Sequence, residues 1–460
     1  MTNSLVTKDY LYKYNHLVNI VNDQHTFVVD NYTLESGETL KNIPLAYKTW
    51  GTLNKLRNNC MVICHAFTGS ADVSDWWGPL LGEGRSFDTS RFFVVCVNVL
   101  GSPYGSASPL TTNSVTGKPY GPEFPLTTIR DDVNLHRLVL NHLGVKQVAI
   151  VIGGSLGGMQ VLEWSMFGPE YVKNIVAIST SGRHSAWGIS WGEAQRQTIY
   201  SDPNYNYGYY TLENSPKTGL SVARMSALLT YRSRNSFELR FGRKDSKVHP
   251  DKVEQYRRKK RSSQTVSISG SESDTSTKSS LVPKTPLGGV NQEYFGLDPE
   301  TELPNDDRSA SKIFSAQSYL RYQGEKFINR FDANCYIALA KKMDTHDIGR
   351  GRGDYFETLE SIKQPALVVG IESDGLFTFN EQIELAENIP NARLARIDSG
   401  DGHDGFLLEF EQLNKLIRNF ISEQLPELYN PYEADVGELS EHVQLNGSVF
   451  GEVDPNLAKW

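Results

Sequence analysis

The sequence predicts an α/β protein with a mostly parallel central sheet, helices on both faces of that sheet, and an inserted helical lid. Short, continuously apolar runs of strand length recur along the chain, and amphipathic segments of helical period separate them. A long polar and aromatic stretch interrupts this alternation, which then resumes. With 460 residues, 39% of them hydrophobic, the chain can bury one large core and an accessory layer.

The first strands are predicted at 26–34 and 42–50, where turn-forming residues separate two strand-like segments. We expect them to be antiparallel strands at the edge of the sheet. Strands buried on both faces are predicted at 60–65, 92–100 and 147–153, because each is an uninterrupted apolar run. Such runs are typical of a parallel sheet.

Helices are predicted between and after these strands. The segment 127–145 has apolar residues at helical spacing, acidic residues near its start and Gly144 at its end. The remaining elements are a helix at 159–167, a strand at 174–180, a strand at 365–371, a helix at 380–389, a strand at 392–397 and a long amphipathic helix at 405–425.

The interruption of the alternating strands and helices predicts the domain organisation. The predicted parts are the first part of the core at 1–183, a lid insertion at 184–355, the second part of the core at 356–425 and an acidic tail at 426–460. Within the lid, 243–313 is too polar to bury a core, so we predict that it is largely disordered. Its RRKKR run at 257–261 is typical of a solvated charge run, with a localisation or anionic-surface patch as the alternative.

Composition argues against several classes of function. A net charge of −8 and a pI near 5.8 disfavour a nucleic-acid binder. Three of the four cysteines lie in or beside apolar runs and indicate a reducing compartment. Cys60, Cys64 and His65 lack a second ligand cluster, so no metal site is predicted. Without a signal peptide, transit pattern or membrane-length run, we expect a cytoplasmic protein that makes no membrane contact.

The strongest chemical motif is VIGGSLGGMQVLEW at 151–164. A Gly-x-Ser-x-Gly sequence between a buried strand and a helix is typical of the nucleophile elbow of an α/β-hydrolase fold. We therefore predict that Ser155 is a nucleophile that forms a covalent acyl ester. The flanking glycines are expected to supply unusual dihedral angles and to leave room around the serine. A Gly-rich phosphate loop is the alternative, and the strand context argues against it.

A serine hydroxyl needs an imidazole base, and the imidazole needs a carboxylate that fixes its tautomer. In this fold the chain order is serine, acid, histidine. Asp374 follows the strand at 365–371, and His403 follows the next strand and precedes the final helix. Glu372 and Asp401 are competing acids; Asp374 is favoured because it lies farther beyond its strand, on the turn.

The oxyanion hole is predicted from backbone N–H groups. Leu156 follows the serine and supplies the first, and Phe67 in the loop CHAFTGS supplies the second. His65 lies at the junction of strand and loop, which favours a structural role over that of the base.

Several segments together resemble the homoserine O-acetyltransferase family. They are HAFTGS, YGPEFPLTTIRDDV at 120–133, GGSLGGMQVLEW, GLSVARMSALLTYRS at 219–233, SYLRYQGEKFINRFDANCY at 318–336 and GHDGFLLEF. The resemblance covers nearly the whole chain outside 243–313 and the termini. It implies an α/β-hydrolase fold with a helical lid, acetyl-CoA as donor, and L-homoserine as acceptor in methionine biosynthesis. It also suggests a homodimer through the lid, for which the sequence shows no periodic seam.

The resemblance assigns the same triad and adds contacts to the amino-acid substrate. By the family pattern, Arg224 and Asp404 contact that substrate, and Tyr231 is a further contact. A zwitterionic acceptor requires a cation for its carboxylate and an anion for its ammonium group, which agrees with this pair. Gly375 departs from the family, where a larger residue often follows the acid, and this bears on the loop that presents Asp374.

The expected mechanism is a ping-pong double displacement through an acetyl-serine, with acetyl-CoA as co-substrate and no bound cofactor or metal. Three alternatives stay open at this point. One is a sibling transferase that uses L-serine or another hydroxyl acceptor, or succinyl-CoA, because one methylene is worth only about 1–3 kcal/mol of discrimination. The second is a serine esterase in which water resolves the ester, and the third is an interaction protein that docks through 243–313.

Overall fold

The computed structural model describes residues 7–244 and 314–428, and its central element is an eight-stranded sheet. The strands are β1 (His25–Thr33), β2 (Thr39–Trp50), β3 (Cys60–Cys64), β4 (Phe93–Val97), β5 (Val148–Gly154), β6 (Ile175–Ile178), β7 (Ala366–Ile371) and β8 (Ala392–Ile397). Their order across the sheet is β1-β2-β4-β3-β5-β6-β7-β8. β1 pairs antiparallel with β2, β2 pairs antiparallel with β4, and every later pairing is parallel.

Helices surround the sheet. The α-helices of the described residues are α1 (Lys8–Leu11), α2 (Val73–Trp76), α3 (Ile129–His142), α4 (Leu156–Ser165), α5 (Ala186–Tyr200), α6 (Lys217–Tyr231), α7 (Arg234–Arg240), α8 (Ser315–Phe327), α9 (Ala333–Asp344), α10 (Tyr355–Glu360), α11 (Phe379–Asn388), α12 (Gly405–Leu408) and α13 (Phe410–Gln424). None of the helices in these two described ranges has both the length and the apolar character needed to cross a membrane.

The predicted α/β fold is confirmed, because apolar side chains are buried on both faces of the sheet. Val151 on β5 packs into one core cluster, and its neighbours Ile150 and Ile152 pack into the other. α3 and α4 cover the first face, and α13 covers the second. A strand buried on both sides needs apolar residues at every position, which explains the continuous runs in the sequence.

The structure differs from the predicted elements at two places. Strand β4 ends at Val97, and the N–H groups of Val99 and Leu100 then donate to side chains outside the sheet. The predicted long helix at 405–425 is two helices, because Glu409 has φ −90° and ψ 49°. The apolar period continues across this break, so the sequence pattern does not show it.

The segment predicted as the lid, 184–355, lies between β6 and β7 in the chain. Its described residues contain α5 to α9, and it ends at Tyr355, the first residue of α10. The chain divides into two compact units, one formed by Met1–Gly242 with Tyr319–Trp460 and the other by Arg243–Ser318. The predictions made for 243–313 fall almost wholly, and those for the acidic tail at 426–460 largely, outside the described residues.

Candidate active site

Ser155 lies at the sharp turn between β5 and α4. Its φ of 58° and ψ of −124° are unusual for a residue with a side chain. Two hydrogen bonds hold the turn: the Ser155 N–H donates to Ile178 O, and the Thr180 hydroxyl donates to Ser155 O, each at 2.9 Å. The neighbouring strand β6 and the segment after it therefore impose the strained backbone.

The glycines that flank the serine serve close packing. The prediction that these glycines supply the unusual dihedral angles is wrong, because the positive φ belongs to Ser155 itself. No positive φ is found at the four glycines, Gly153, Gly154, Gly157 and Gly158. A Cβ atom on Gly157 would lie 2.2 Å from Cys64 O, and one on Gly158 would lie 2.5 Å from Thr180 Cβ. The turn therefore packs closely against β3 on one side and against the end of β6 on the other.

The structure brings Asp374 and His403 into direct contact. Asp374 lies in the turn after β7, and its Oδ2 is 2.7 Å from His403 Nδ1. Its other oxygen accepts the backbone N–H groups of Leu376 at 2.8 Å and Phe377 at 2.9 Å. Both members of the pair are buried. The carboxylate is therefore oriented by its own turn and can fix the imidazole tautomer that leaves Nε2 free to accept a proton.

The charged and aromatic groups around His403 favour its role as a base. Burial alone lowers the pKa of this imidazole, but the charge of Asp374 and its hydrogen bond outweigh burial and raise the pKa above its ordinary value. The rings of Phe377 and Phe406 flank the imidazole, each with its centroid 5.2 Å away. A carboxylate-paired imidazole among aromatic rings is suited to take a proton from a nearby hydroxyl.

The two competing acids lie elsewhere. Glu372 is exposed on the surface, where it pairs with Arg396 at 2.7 Å. Asp401 lies 3.0 Å from Arg232 and accepts a hydrogen bond from the Ser236 hydroxyl. The structure therefore places only Asp374 of the three candidate acids on the Nδ1 atom of His403.

His65 connects the ends of two strands. Its Nε2 accepts the N–H of Val99 at 3.0 Å, so its Nδ1 carries the proton and donates to Ala66 O at 2.8 Å. Burial lowers the pKa of His65 to about 4, which keeps the ring neutral. Both nitrogens are thus used within the scaffold, which agrees with a structural role.

A cavity of about 1000 Å³, its open mouth included, contains the residues expected to bind substrate together with Ser155 and His403. Arg224 on α6 is 3% exposed, and its guanidinium lies over the rings of Phe327 at 5.1 Å and Tyr231 at 5.8 Å. The Tyr231 ring lies 6.1 Å from the His403 ring. A cation and the nucleophile therefore line the same cavity.

Asp404 also lines the cavity, and it has a partner that the sequence analysis missed. Its Oδ2 lies 2.7 Å from Arg232 Nε, and both side chains are buried. Arg232 follows Tyr231 in one of the segments that carry the family resemblance, and this adjacency was the available signal.

Of the two residues predicted for the oxyanion hole, Phe67 lines the same cavity, and Leu156 directly follows the cavity residue Ser155. Phe67 is part of the cavity wall in the loop after β3. Leu156 is the first residue of α4, where N–H groups have no partner inside the helix and the helix dipole favours negative charge. Donors at these two places can stabilise an oxyanion beside the serine.

Within residues 7–244 and 314–428, no group of three or more His, Cys, Asp or Glu side chains is arranged to hold a metal ion. The four cysteines are buried and unpaired as disulfides.

Comparisons with known proteins agree with this geometry. The model of the alpha/beta hydrolase fold family matches residues 59–410. A homoserine O-acetyltransferase of Schizosaccharomyces pombe is 51% identical over 97% of this chain and 96% of that protein. Among solved structures, a homoserine O-acetyltransferase from Bacillus anthracis matches with a TM-score of 0.69 and 21% identity, covering 87% of this chain and 97% of the other. Esterase E22 matches with a TM-score of 0.67 and 23% identity, covering 87% and 99%. These two structures share the fold of this chain.

Proposed function

Because the chain belongs to the homoserine O-acetyltransferase family, within the α/β-hydrolase fold, and is an acyltransferase, we propose that it acetylates the hydroxyl of L-homoserine. Acetyl-CoA is the donor, no bound cofactor or metal takes part, and the product is O-acetyl-L-homoserine for methionine biosynthesis. The observation that carries this proposal is the buried contact between His403 and Asp374. His403 lines a cavity together with Ser155, Arg224 and Asp404.

In the first half-reaction, His403 Nε2 accepts the proton of Ser155 as the serine oxygen attacks the thioester carbonyl. The N–H groups of Phe67 and Leu156 stabilise the oxyanion. The tetrahedral intermediate then breaks its carbon–sulfur bond, and the imidazolium returns its proton to the departing thiolate. Free CoA leaves, and the acetyl group stays on the serine oxygen.

In the second half-reaction, the homoserine hydroxyl gives its proton to His403 and attacks the acetyl-serine carbonyl. The serine oxygen leaves and takes the proton back. Arg224 binds the acceptor carboxylate, Asp404 binds its ammonium group, and Tyr231 completes the binding site. Orienting the acceptor in this way favours its hydroxyl over water as the attacking group.

The covalent step is tested with radiolabelled acetyl-CoA in the absence of acceptor. We expect label on the peptide that contains Ser155, its release by added homoserine, and no label on a Ser155→Ala variant. Retained label on Ser155→Ala, with homoserine still acetylated, would refute the acetyl-serine scheme.

The acceptor and donor are tested by steady-state rates with homoserine, serine or water against acetyl-CoA or succinyl-CoA. We expect homoserine with acetyl-CoA to be fastest, and serine to be slower by roughly 10-fold to 200-fold because it lacks one methylene. Free acetate formed as fast without homoserine as with it would instead identify an esterase.

The homodimer and the cytoplasmic location stay predictions from the sequence. Sedimentation velocity of the purified chain tests the first, and fractionation of cells tests the second.

A further inference from the structure

One buried glutamine lies between the turn that carries the acid and the segment that holds the nucleophile. Gln382 is on α11, the helix that begins just after the turn of Asp374, and its side chain is 0% exposed. Its Nε2 donates to Thr180 O at 2.8 Å and lies 3.5 Å from Phe377 O. Gln382 is not among the residues that line the cavity, and the proposed mechanism does not use it.

The contact with Thr180 reaches the nucleophile turn, the backbone around Ser155. Strand β6 ends at Ile178, and Ser179 has a φ of 43°, so the chain leaves the extended conformation immediately before Thr180. The Thr180 hydroxyl donates to Ser155 O at 2.9 Å. A Cβ on Gly158 would lie 2.5 Å from Thr180 Cβ, so Thr180 also packs closely against α4. Gln382 therefore holds the residue that holds the serine backbone.

The second contact lies on the acid turn, residues 374–377. Phe377 donates its N–H to Asp374 Oδ1 at 2.9 Å, and its carbonyl is the one that lies 3.5 Å from Gln382 Nε2. An amide nitrogen carries two hydrogens, so one side chain can donate to both carbonyls, more weakly to the distant one. Because both neighbours are acceptors, the amide nitrogen and not its oxygen belongs on this side.

The amide of Gln382 has a cost that packing alone does not explain. Its Oε1 is buried and has no hydrogen-bond partner among the residues that the structure describes, which is unfavourable. Gly370 inside β7 leaves space for it, since a Cβ there would lie 2.9 Å from Gln382 Oε1. A glycine weakens a strand. An apolar side chain of the same length would fill this space without an unpaired oxygen, so the donors are what the amide adds.

We propose that Gln382 is a positioning residue for acyl transfer, which keeps the nucleophile turn in register with the acid turn. It acts through Thr180 on the backbone of Ser155, and through Phe377 on the turn that presents Asp374. Proton transfer requires the serine hydroxyl within hydrogen-bond distance of the His403 imidazole, so a small displacement of either turn lowers the rate. The inference rests on the proposed function, because it requires acylation of Ser155.

The test is Gln382→Met, which keeps the length of the side chain and removes both donors. Gln364→Met is the matched control. Gln364 is also 0% exposed, donates to one backbone carbonyl, Ser165 O, at 2.7 Å, and has a buried Oε1 without a partner in the described part of the chain. It lies just before β7, at the opposite end of that strand from Asp374. The two variants therefore remove similar hydrogen bonds, and only one of these bonds lies beside the triad.

Acylation is measured as kcat/KM for acetyl-CoA and for p-nitrophenyl acetate, an activated ester that lacks the coenzyme. Calorimetry measures the affinity for free CoA, and urea unfolding measures stability. We expect Gln382→Met to lower kcat/KM about 10-fold to 100-fold and by the same factor with both donors, since a misplacement of about 1 Å costs on the order of 100-fold. CoA affinity should stay within twofold of wild type. Gln364→Met should acylate within twofold of wild type, although both variants lose stability to a similar extent.

A Thr180→Val variant tests the route of the effect, because it removes the hydroxyl that donates to Ser155 O and keeps the Thr180 carbonyl. If Gln382 acts through Thr180, the double variant Thr180→Val with Gln382→Met should lose less than the product of the two single losses in kcat/KM. Losses that multiply would refute that route and overturn the inference.

Equal rate losses in Gln382→Met and Gln364→Met, or no loss in Gln382→Met, would also overturn the inference. If Gln382→Met does not fold, Gln382→Glu keeps the shape, places an oxygen against Thr180 O and should show the same selective loss of rate. A wild-type protein that forms no acyl-serine with either donor would overturn the proposed function and, with it, this inference. A failure of the role of Gln382 alone leaves wild-type acylation intact.

Discussion

Arg232 Nε lies 2.7 Å from Asp404 Oδ2, and the two side chains are 2% and 3% exposed. Asp404 directly follows His403, and Arg232 is the residue that caps α6. Arg232 also lies 3.0 Å from Asp401. One guanidinium therefore attaches the end of a lid helix to the loop that carries the base, and it places a cation beside the buried Asp404 carboxylate.

Replacing Arg232 with Met is expected to lower the free energy of unfolding by about 3–5 kcal/mol, because it leaves a buried carboxylate without its cation. Urea unfolding measures this change. Arg396→Met is the matched control, since Arg396 pairs with Glu372 on the surface, where the two side chains are 55% and 63% exposed. We expect that control to match wild type, and equal losses in the two variants would contradict the structural account.

The triad was predictable because chain order and strand ends determine where its members meet. Arg232 was not predicted, because its place after Tyr231 in the sequence does not show that its guanidinium meets the loop around His403, about 170 residues later. Some features of the fold were likewise not predictable from the sequence. The strands were predicted because burial on both faces requires a continuous run of apolar residues. The break at Glu409 was not predicted, because the apolar residues keep their helical spacing across it.

The contact between His403 and Asp374 predicts the pH dependence of acylation. Only the neutral imidazole accepts a proton, so kcat/KM for the donor should rise with pH, with a midpoint above 6.5, the ordinary pKa of histidine. In Asp374→Asn, burial is no longer outweighed, so the midpoint should move to lower pH. The rate should also fall on the order of 10⁴-fold, as when the triad acid of a serine protease is replaced.

Glu372→Gln is the matched control for this pH profile, because that exposed carboxylate pairs with Arg396. Its profile should superimpose on that of wild type. A midpoint that stays in place in Asp374→Asn would show that another group sets the pKa of the base.

Stability should change in the opposite direction over the same pH interval. The pKa of His403 is raised in the folded state, so its contribution to stability is fully present below the unfolded pKa near 6.5. This contribution is lost as pH rises through the folded pKa. The difference in unfolding free energy between wild type and His403→Gln, measured in urea at several pH values, should therefore shrink as activity rises. A difference that grows with pH would contradict the raised pKa.

A second buried ion pair joins the lid to the core. Lys342 on α9 lies 2.5 Å from Asp132 on α3, and both side chains are fully buried. Lys342→Met alone should cost about 3–5 kcal/mol of unfolding free energy, because it leaves the Asp132 charge unpaired. Adding Asp132→Asn removes that charge and keeps an acceptor for the Leu100 N–H, so the double variant should be more stable than Lys342→Met. A double variant whose losses simply add would contradict direct coupling.

Close packing at the nucleophile turn predicts a contrast between two glycines. A Cβ on Gly157 would lie 2.2 Å from Cys64 O, a backbone atom that cannot rotate away, so Gly157→Ala must displace β3 or the serine turn. We expect the free energy of unfolding to fall by at least the roughly 1–3 kcal/mol typical of overpacking, and most of the activity with p-nitrophenyl acetate to be lost.

Gly375 follows the triad acid, yet a Cβ there meets nothing within 4 Å and its φ is not positive. Gly375→Ala should therefore change stability by less than about 0.5 kcal/mol and retain activity. A large loss in Gly375→Ala would show that the loop presenting Asp374 needs this glycine, and the departure from the family at this position would then bear on catalysis.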